Sequence, residues 1–394
     1  MGRGVNVAEF IQQAKDFSSE NKRSTKLIAD VKDKVLKDRS KIDEFERENP
    51  RISKWRGLPD LKDLNRDLFE TCKSCAEDIR ENAENQKKDY RYILEAIVEA
   101  KRSVPDFLQK HGLRQYISSL TKFGYEDVEG LLDAEIEKDC DLADNRCRVV
   151  LDEENRLEMG QNHLEALTRE IDNLRQQIAN IPQRMKNIIS SADKAAKTSQ
   201  KFLNACQDTV DRARSLKDKT ETPRQGATRD IADVAGTAVA TGLGAVVLGT
   251  AAVVTGVGAV AAAGAAVTSL VTGGSVGGAL VAGAAAVGLG AAAVALGTLA
   301  SALLASLFLF SDLFQRVTIE ALKNHQRDMD EKARRLERQW LNEIHTCVTM
   351  MESNNAAVKH KFMEVINLPS SVGNIRSTFD TIFENLDTLT SFNI

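Results

Sequence analysis

The chain has 394 residues, room for two or three domains, and sets 53 Lys and Arg against 57 Asp and Glu. A formal net charge of −4 supplies no basic field for nucleic acid, and 5% aromatics is too few for a β-sandwich or barrel core. Six Cys and five His over this length make no disulfide or zinc framework.

The averages conceal a division. Residues 234–311 contain no Asp, Glu, Lys, Arg or His, so every charge lies elsewhere in the chain. The N-terminus has no apolar run that would mark a secretory signal peptide. Asn6 stands where N-myristoylation would want Ser or Thr. Cys72 and Cys75 form a lone CxxC with no second pair to complete a zinc site, so they read as free helical thiols. A cytoplasmic, soluble form, a membrane-associated form, or both are expected.

In chain order, the first segment (1–103) reads as amphipathic helices. Phe10, Ala14, Phe17 and Leu27 fall at loose helical spacing from Val5 to about Val35. Breaks are expected at Glu48 to Pro50 and again at Gly57 to Pro59. From Asp60 to about Arg102, Leu61, Leu64, Leu68, Cys72, Cys75, Ile79 and Ala83 recur at three and four residues, one helix face.

Residues 104–151 have a different texture: short helices separated by Gly turns. An aromatic-Leu pair, Phe107 and Leu108, opens the first helix, then Gly112, Leu113 and Tyr116 follow, then Gly124, Tyr125, Asp127, Leu131 and Leu132. This order resembles a sterile alpha motif (SAM) domain. Glu137 and Asp139 approximate that family's acidic step, while its Gly before the last helix is absent. The resemblance implies a self-associating module with Phe107, Leu108, Tyr116, Leu131 and Leu132 in its core, and hence assembly of a homo-oligomer.

Residues 152–220 read as a long heptad helix. Val150, Leu157, Leu164, Ile171, Ile178 and Met185 lie seven apart, and Leu167, Leu174, Ile181 and Ile188 fill the position three later, the a and d stripe of a coiled coil. Pro182 should kink it. A second heptad helix (315–368) carries Leu322, Met329, Ala333, Leu336, Trp340, Ile344, Cys347 and Met351. The two are expected to pair with each other, antiparallel. A tail helix (369–394), with Phe379, Ile382, Phe383, Leu386 and Leu389 on one face, is expected to dock back on the bundle.

Between the heptad helices, residues 220–226 read as a loop and Thr228 as the N-cap of a hydrophobic hairpin (228–314). Its 78-residue uncharged stretch holds 15 Gly and 24 Ala. As helix it would extend ~117 Å, and a crossing needs ~20 residues, so two to four crossings are available. Gly273, Gly274, Gly277 and Gly278 mark the turn. Gly242, Gly249 and Gly256 in the first arm, and Gly283, Gly290 and Gly297 in the second, repeat every seven residues, each row on one helix face. Such glycine zippers let helices pack closely in lipid.

Only the end of the block, with Leu303, Leu304, Leu307, Phe308, Leu309 and Phe310, is strongly apolar and reads as a membrane anchor. Arg224 and Arg229 before the block and Arg316 and Lys323 after it are placed to meet anionic headgroups. Basic flanks at both ends fit an even number of crossings. This layout, a long helix, a Gly/Ala hairpin and a second long helix, resembles the α-helical pore-forming proteins of the cytolysin A and tripartite haemolysin kind. It is also similar to the apolipoprotein L family. No residue-level motif accompanies the likeness, so it assigns no site residue.

No GxxxxGK[ST], HExxH or paired Cys/His cluster occurs. His111, His163, His325, His345 and His360 are scattered and read mostly as charged-face residues. No catalytic residue, metal or cofactor is expected, and the chain does not read as an enzyme. The expected fold is all-α: an elongated helical bundle or coiled coil with a SAM-like module and a Gly/Ala-rich hairpin. The expected function is membrane insertion after self-assembly, by pore formation or remodelling, with a lipid membrane as partner and no nucleic acid. A membrane-anchored coiled-coil scaffold, or a soluble bundle that buries its apolar hairpin, are the alternatives.

Overall fold

A computed structural model describes residues 4–48, 57–122, 124–132, 153–240, 318–352 and 362–394. Its elements are β1 (Val5–Asn6), α1 (Val7–Glu48), α2 (Gly57–Ala100), α3 (Val104–Lys110), a 3-10 turn (Arg114–Tyr116), α4 (Ile117–Lys122), α5 (Val128–Leu132), α6 (Glu153–Ala179), α7 (Ile181–Ala240), α8 (Glu320–Glu352), α9 (Phe362–Val365), β2 (Ile366–Asn367) and α10 (Val372–Thr390). The described chain is all-α, apart from a two-residue parallel pairing of Val5 with Ile366 and Asn6 with Asn367. The chain divides into two units: Met1–Asp30 with Cys72–Leu203 and Ala321–Ile394, and Val31–Thr71 with Asn204–Glu320.

In the first unit the predicted stripes are the core. Phe10, Ala14 and Phe17 of α1, Cys75, Ile79 and Ala83 of α2, and Leu167, Ile171, Leu174, Ile178, Ile181, Met185 and Ile188 of α6 and α7 are all buried. So are Leu322, Met329, Ala333, Leu336, Trp340, Ile344 and Cys347 of α8, while Met351 is half-buried. Cys72 and Cys75 are buried thiols joined in no disulfide, and burial pushes Cys75 up to about 11.

Pro182 marks a boundary between two helices. Helix α6 ends at Ala179 and α7 begins at Ile181, so the proline occupies the first turn of a new helix, where a missing N–H costs least.

The two heptad helices border one cavity together, Thr198 and Phe202 of α7 with Leu322 and His325 of α8, and each also has a second partner. Helix α7 makes its polar contacts with α2: Arg184 reaches Asp89 at 2.9 Å, Asn82 donates to the Ser191 carbonyl at 2.8 Å, and Lys201 meets Asp78 at 3.3 Å. Helix α8 makes polar and ring contacts with α1. The Trp340 indole donates to Gln13 at 2.9 Å and sets its ring edge-on to Phe10, centroids 5.8 Å apart. A heptad stripe specifies which face is buried but not what covers it, and in a bundle one stripe is shared among several helices.

Helix α10 docks as expected. Ser371 caps it, accepting from the Asn374 N–H at 3.4 Å. Ile375, Phe379, Ile382, Leu386 and Leu389 are buried; Phe383 sits at the edge, stacked on Phe379 at 6.2 Å. Within the buried face, Asn385 donates to the Ser18 hydroxyl of α1 at 3.1 Å.

In the second unit, Val31, Val35 and Ile42 of α1, Leu61, Leu64 and Leu68 of α2, and Cys206 and Val210 of α7 are buried. Asn65 donates to the Val35 carbonyl at 3.0 Å, and Arg212 meets Asp67 at 3.4 Å. Helix α1 ends at Glu48, at the expected break. One expectation fails here: residues 220–226, read as a loop, are helical within α7, which places Thr228 inside the helix and not at its cap. Pro223 removes one donor from the ladder; the surrounding Lys, Glu, Arg and Gln are good helix formers.

Candidate functional site

The short-helix segment from Ser103 to Leu132 is assembled from its turns. Ser103 caps α3, accepting from the Asp106 N–H at 3.2 Å. Asp127 does the same for the start of α5, accepting from the Gly130 N–H at 3.1 Å. The backbone between them closes through Val104 N–H to the Glu126 carbonyl and Val128 N–H to the Arg102 carbonyl. Gly112 and Gly124 lie at φ +74° and +87°, the left-handed region that favours glycine. Phe107, Leu108, Leu131 and Leu132 are buried together with Leu113 and Val128. Tyr116, expected in this core, is only half-buried. Glu137 and Asp139 lie outside the described residues.

The membrane residues read from the sequence fall almost wholly outside the described chain. Gly242, Gly249, Gly256, Gly273, Gly274, Gly277, Gly278, Gly283, Gly290, Gly297, Leu303, Leu304, Leu307, Phe308, Leu309, Phe310 and Arg316 all lie in residues 241–317. Arg224 and Arg229 belong to α7, and Lys323 is an exposed residue of α8. Among the described residues no helix is long and apolar enough to cross a membrane, and no group of three or more His, Cys, Asp or Glu is placed to hold a metal ion.

The most concentrated chemistry among the described residues is one that sequence reasoning missed. His325, expected with the other histidines on a charged helix face, is 1% exposed. Its Nε2 lies 2.8 Å from Ser24 Oγ and its Nδ1 lies 2.7 Å from Glu20 Oε1. The outer oxygen of Glu20 meets Lys332 at 3.3 Å, and Arg23 stands 3.5 Å from Oε1. A carboxylate only accepts, so Nδ1 carries the proton and Nε2 accepts from the Ser24 hydroxyl. Burial, the largest influence, pushes the His325 pKa below its ordinary value; Glu20 pulls it part of the way back. Burial also pushes Glu20 up, but the hydrogen bond and charge of His325, and Lys332 beside it, hold its carboxyl below the usual range.

Ser, His and Glu at these distances have the reach of a nucleophile, its base and an orienting carboxylate. Their setting has no room for a substrate. Ser24 is 4% exposed, and the adjoining cavity, lined by Leu27, Ile28, Ile79, Thr198, Phe202 and Leu322 among others, holds about 10 Å³. That is the space of one water. What the arrangement does chemically is tie α8 to α1 through a fully hydrogen-bonded imidazole. A signal for it exists in the sequence: His325 follows Leu322 by three and precedes Met329 by four, a position the seam assigns to an apolar residue.

His111 is a second bridging imidazole, half-buried against Phe107, with Nδ1 3.3 Å from Glu170 and Nε2 3.6 Å from Glu99. His345 is exposed. The side chains of His163 and His360 lie outside the described residues.

No family model, curated protein or solved structure matches the chain.

Proposed function

We propose that this protein self-assembles and inserts its uncharged Gly/Ala stretch into a lipid bilayer as a helical hairpin, permeabilising or remodelling the membrane. The observation that carries the reading is the 78-residue stretch 234–311 without a single charge in a chain otherwise rich in Asp, Glu, Lys and Arg. It is long enough for two crossings at ~20 residues each. Its Gly and Ala content makes insertion only weakly favourable, which suits a segment that enters membranes on demand.

Connectivity supports a hairpin. Thr198 and Phe202 of α7 line the same cavity as Leu322 and His325 of α8, so the helices that precede and follow the stretch are neighbours. The SAM-like segment supplies the self-association, as its resemblance implies.

The Leu- and Phe-rich end of the stretch, Leu303 to Phe310, favours a second reading: a constitutively anchored helical tether, with the SAM-like module recruiting partners. Dye release from anionic liposomes separates the two. Wild-type protein is expected to release dye, and Gly249→Leu with Gly290→Leu, which bulks up both glycine rows, to release less by an order of magnitude or more. Protein that pellets with the vesicles but releases nothing leaves the tether. Protein that never binds vesicles leaves a bundle with a buried apolar core.

A further inference from the structure

We propose that the bridge between Ser24, His325 and Glu20 is an acid-sensitive catch, holding α8 against α1 at neutral pH and letting go when the imidazole is protonated. It rests on the membrane-inserting reading for its purpose, because α8 is the helix that follows the uncharged stretch and His325 lies in its second turn. The catch itself rests on geometry.

In the neutral form every polar atom of the imidazole is used: Nδ1–H donates to Glu20 at 2.7 Å and Nε2 accepts from Ser24 at 2.8 Å. A second proton on Nε2 points a donor at the Ser24 oxygen and displaces that hydroxyl's own hydrogen. It also places a cation beside the apolar side chains of Leu27, Ile28, Ile79, Phe202 and Leu322, which line the cavity with it. A buried charge is tolerated only with full compensation. The charged groups that face the ring are few. From α1 come Glu20, which favours the cation, and Arg23, which opposes it; from α8 itself comes Asp328, which favours it. Lys332 of α8 competes for the same Glu20 carboxylate. From α2 and α7 the cavity receives Ile79, Thr198, Ser199 and Phe202, none titratable.

The sign follows from linkage. An imidazole whose folded pKa lies below its ordinary value of 6.5 binds its proton more readily when released than when buried. Stability is therefore full above about 6.5 and declines as pH falls through the folded value. Glu20, held below its ordinary 4.5, adds a further loss in the same direction at still lower pH. Helix pairing between α1 and α8 thus weakens progressively on mild acidification, before the general carboxylate titration begins.

The chain carries its own reporter. Trp340 of α8 is buried against Phe10 of α1 and donates to Gln13, so its emission reads the separation of these two helices. The test uses the 394-residue chain with Trp55→Phe, leaving Trp340 as the one remaining tryptophan of the two in the sequence. His325→Gln keeps a donor and an acceptor but cannot titrate; His325→Leu replaces it if the amide variant is unfolded at pH 7.5 by circular dichroism. Trp340 emission and the urea midpoint are followed from pH 7.5 to 5.5, and dye release from anionic liposomes is measured at both ends.

The expected result is a red shift and a falling midpoint for wild type, with dye release rising about tenfold, the change that a protonation equilibrium displaced by one pH unit produces; the variant stays flat across this range. A variant that responds to acid as wild type does overturns the catch. A catch seen in Trp340 with no dye release at any pH supports the switch and removes the membrane reading. Equal dye release at both pH values by wild type and variant removes the switch and leaves the membrane reading.

Discussion

At the scale of single residues, glycines of one composition do two different jobs. Gly112 and Gly124 sit at positive φ with no atom within 4 Å of an added Cβ. Replacing Gly124 by Ala therefore costs backbone strain alone, about 1 kcal/mol. Gly373, in the first turn of α10, also has open space around it but no positive φ. There an Ala should stabilise by roughly 0.5 kcal/mol by restricting the unfolded chain. Urea denaturation of the two variants checks the pair, and equal signs would contradict the assignment of the two backbone conformations. The same scale shows where sequence reading stopped. Phe107 and Leu108 were legible because an aromatic-Leu pair on a short capped helix has one place to go. His325 was not, because its partners Ser24 and Glu20 are some 300 positions away and each alone looks like an ordinary polar residue.

At the scale of elements, periodicity was a reliable guide to faces and a poor one to boundaries. The stripe from Leu167 to Ile188 is buried at every described position, since spacing by three and four fixes a helix face through geometry alone. Ends depend on weaker, local preferences, and long helices on either side override them, as at residues 220–226. Pro182 is a case in which the local signal held. It is the second residue of α7, just after the junction at Asn180. Pro182→Ala is accordingly expected to change stability by less than about 0.5 kcal/mol. A proline forced into the middle of one continuous helix would give back ~3 kcal/mol on replacement. A urea midpoint that rises by the larger amount would mean that α6 and α7 are one strained helix.

At the scale of the whole molecule, the division between charged helices and an uncharged stretch governs the functional reading. Arg224, Arg229, Arg316 and Lys323 flank that stretch. Each basic residue near an anionic surface contributes about 1 kcal/mol, or roughly fivefold in partitioning. Changing them to Gln one after another should lower sedimentation with phosphatidylserine-containing liposomes by about that factor per residue, and high salt should erase the difference. Unchanged sedimentation would show that the flanks do not meet headgroups. The charge contrast, the all-helical class and the buried faces were determined by the sequence by itself, because each is set by residues within a few turns of one another. Which helix covers which face was decided by the tertiary structure: α7 on α2, α8 on α1, α10 over Ser18. So was the enclosure of His325 between Ser24 and Glu20. Those pairings join residues far apart in the chain, and a local pattern carries the wish to be buried without naming the partner that will do it.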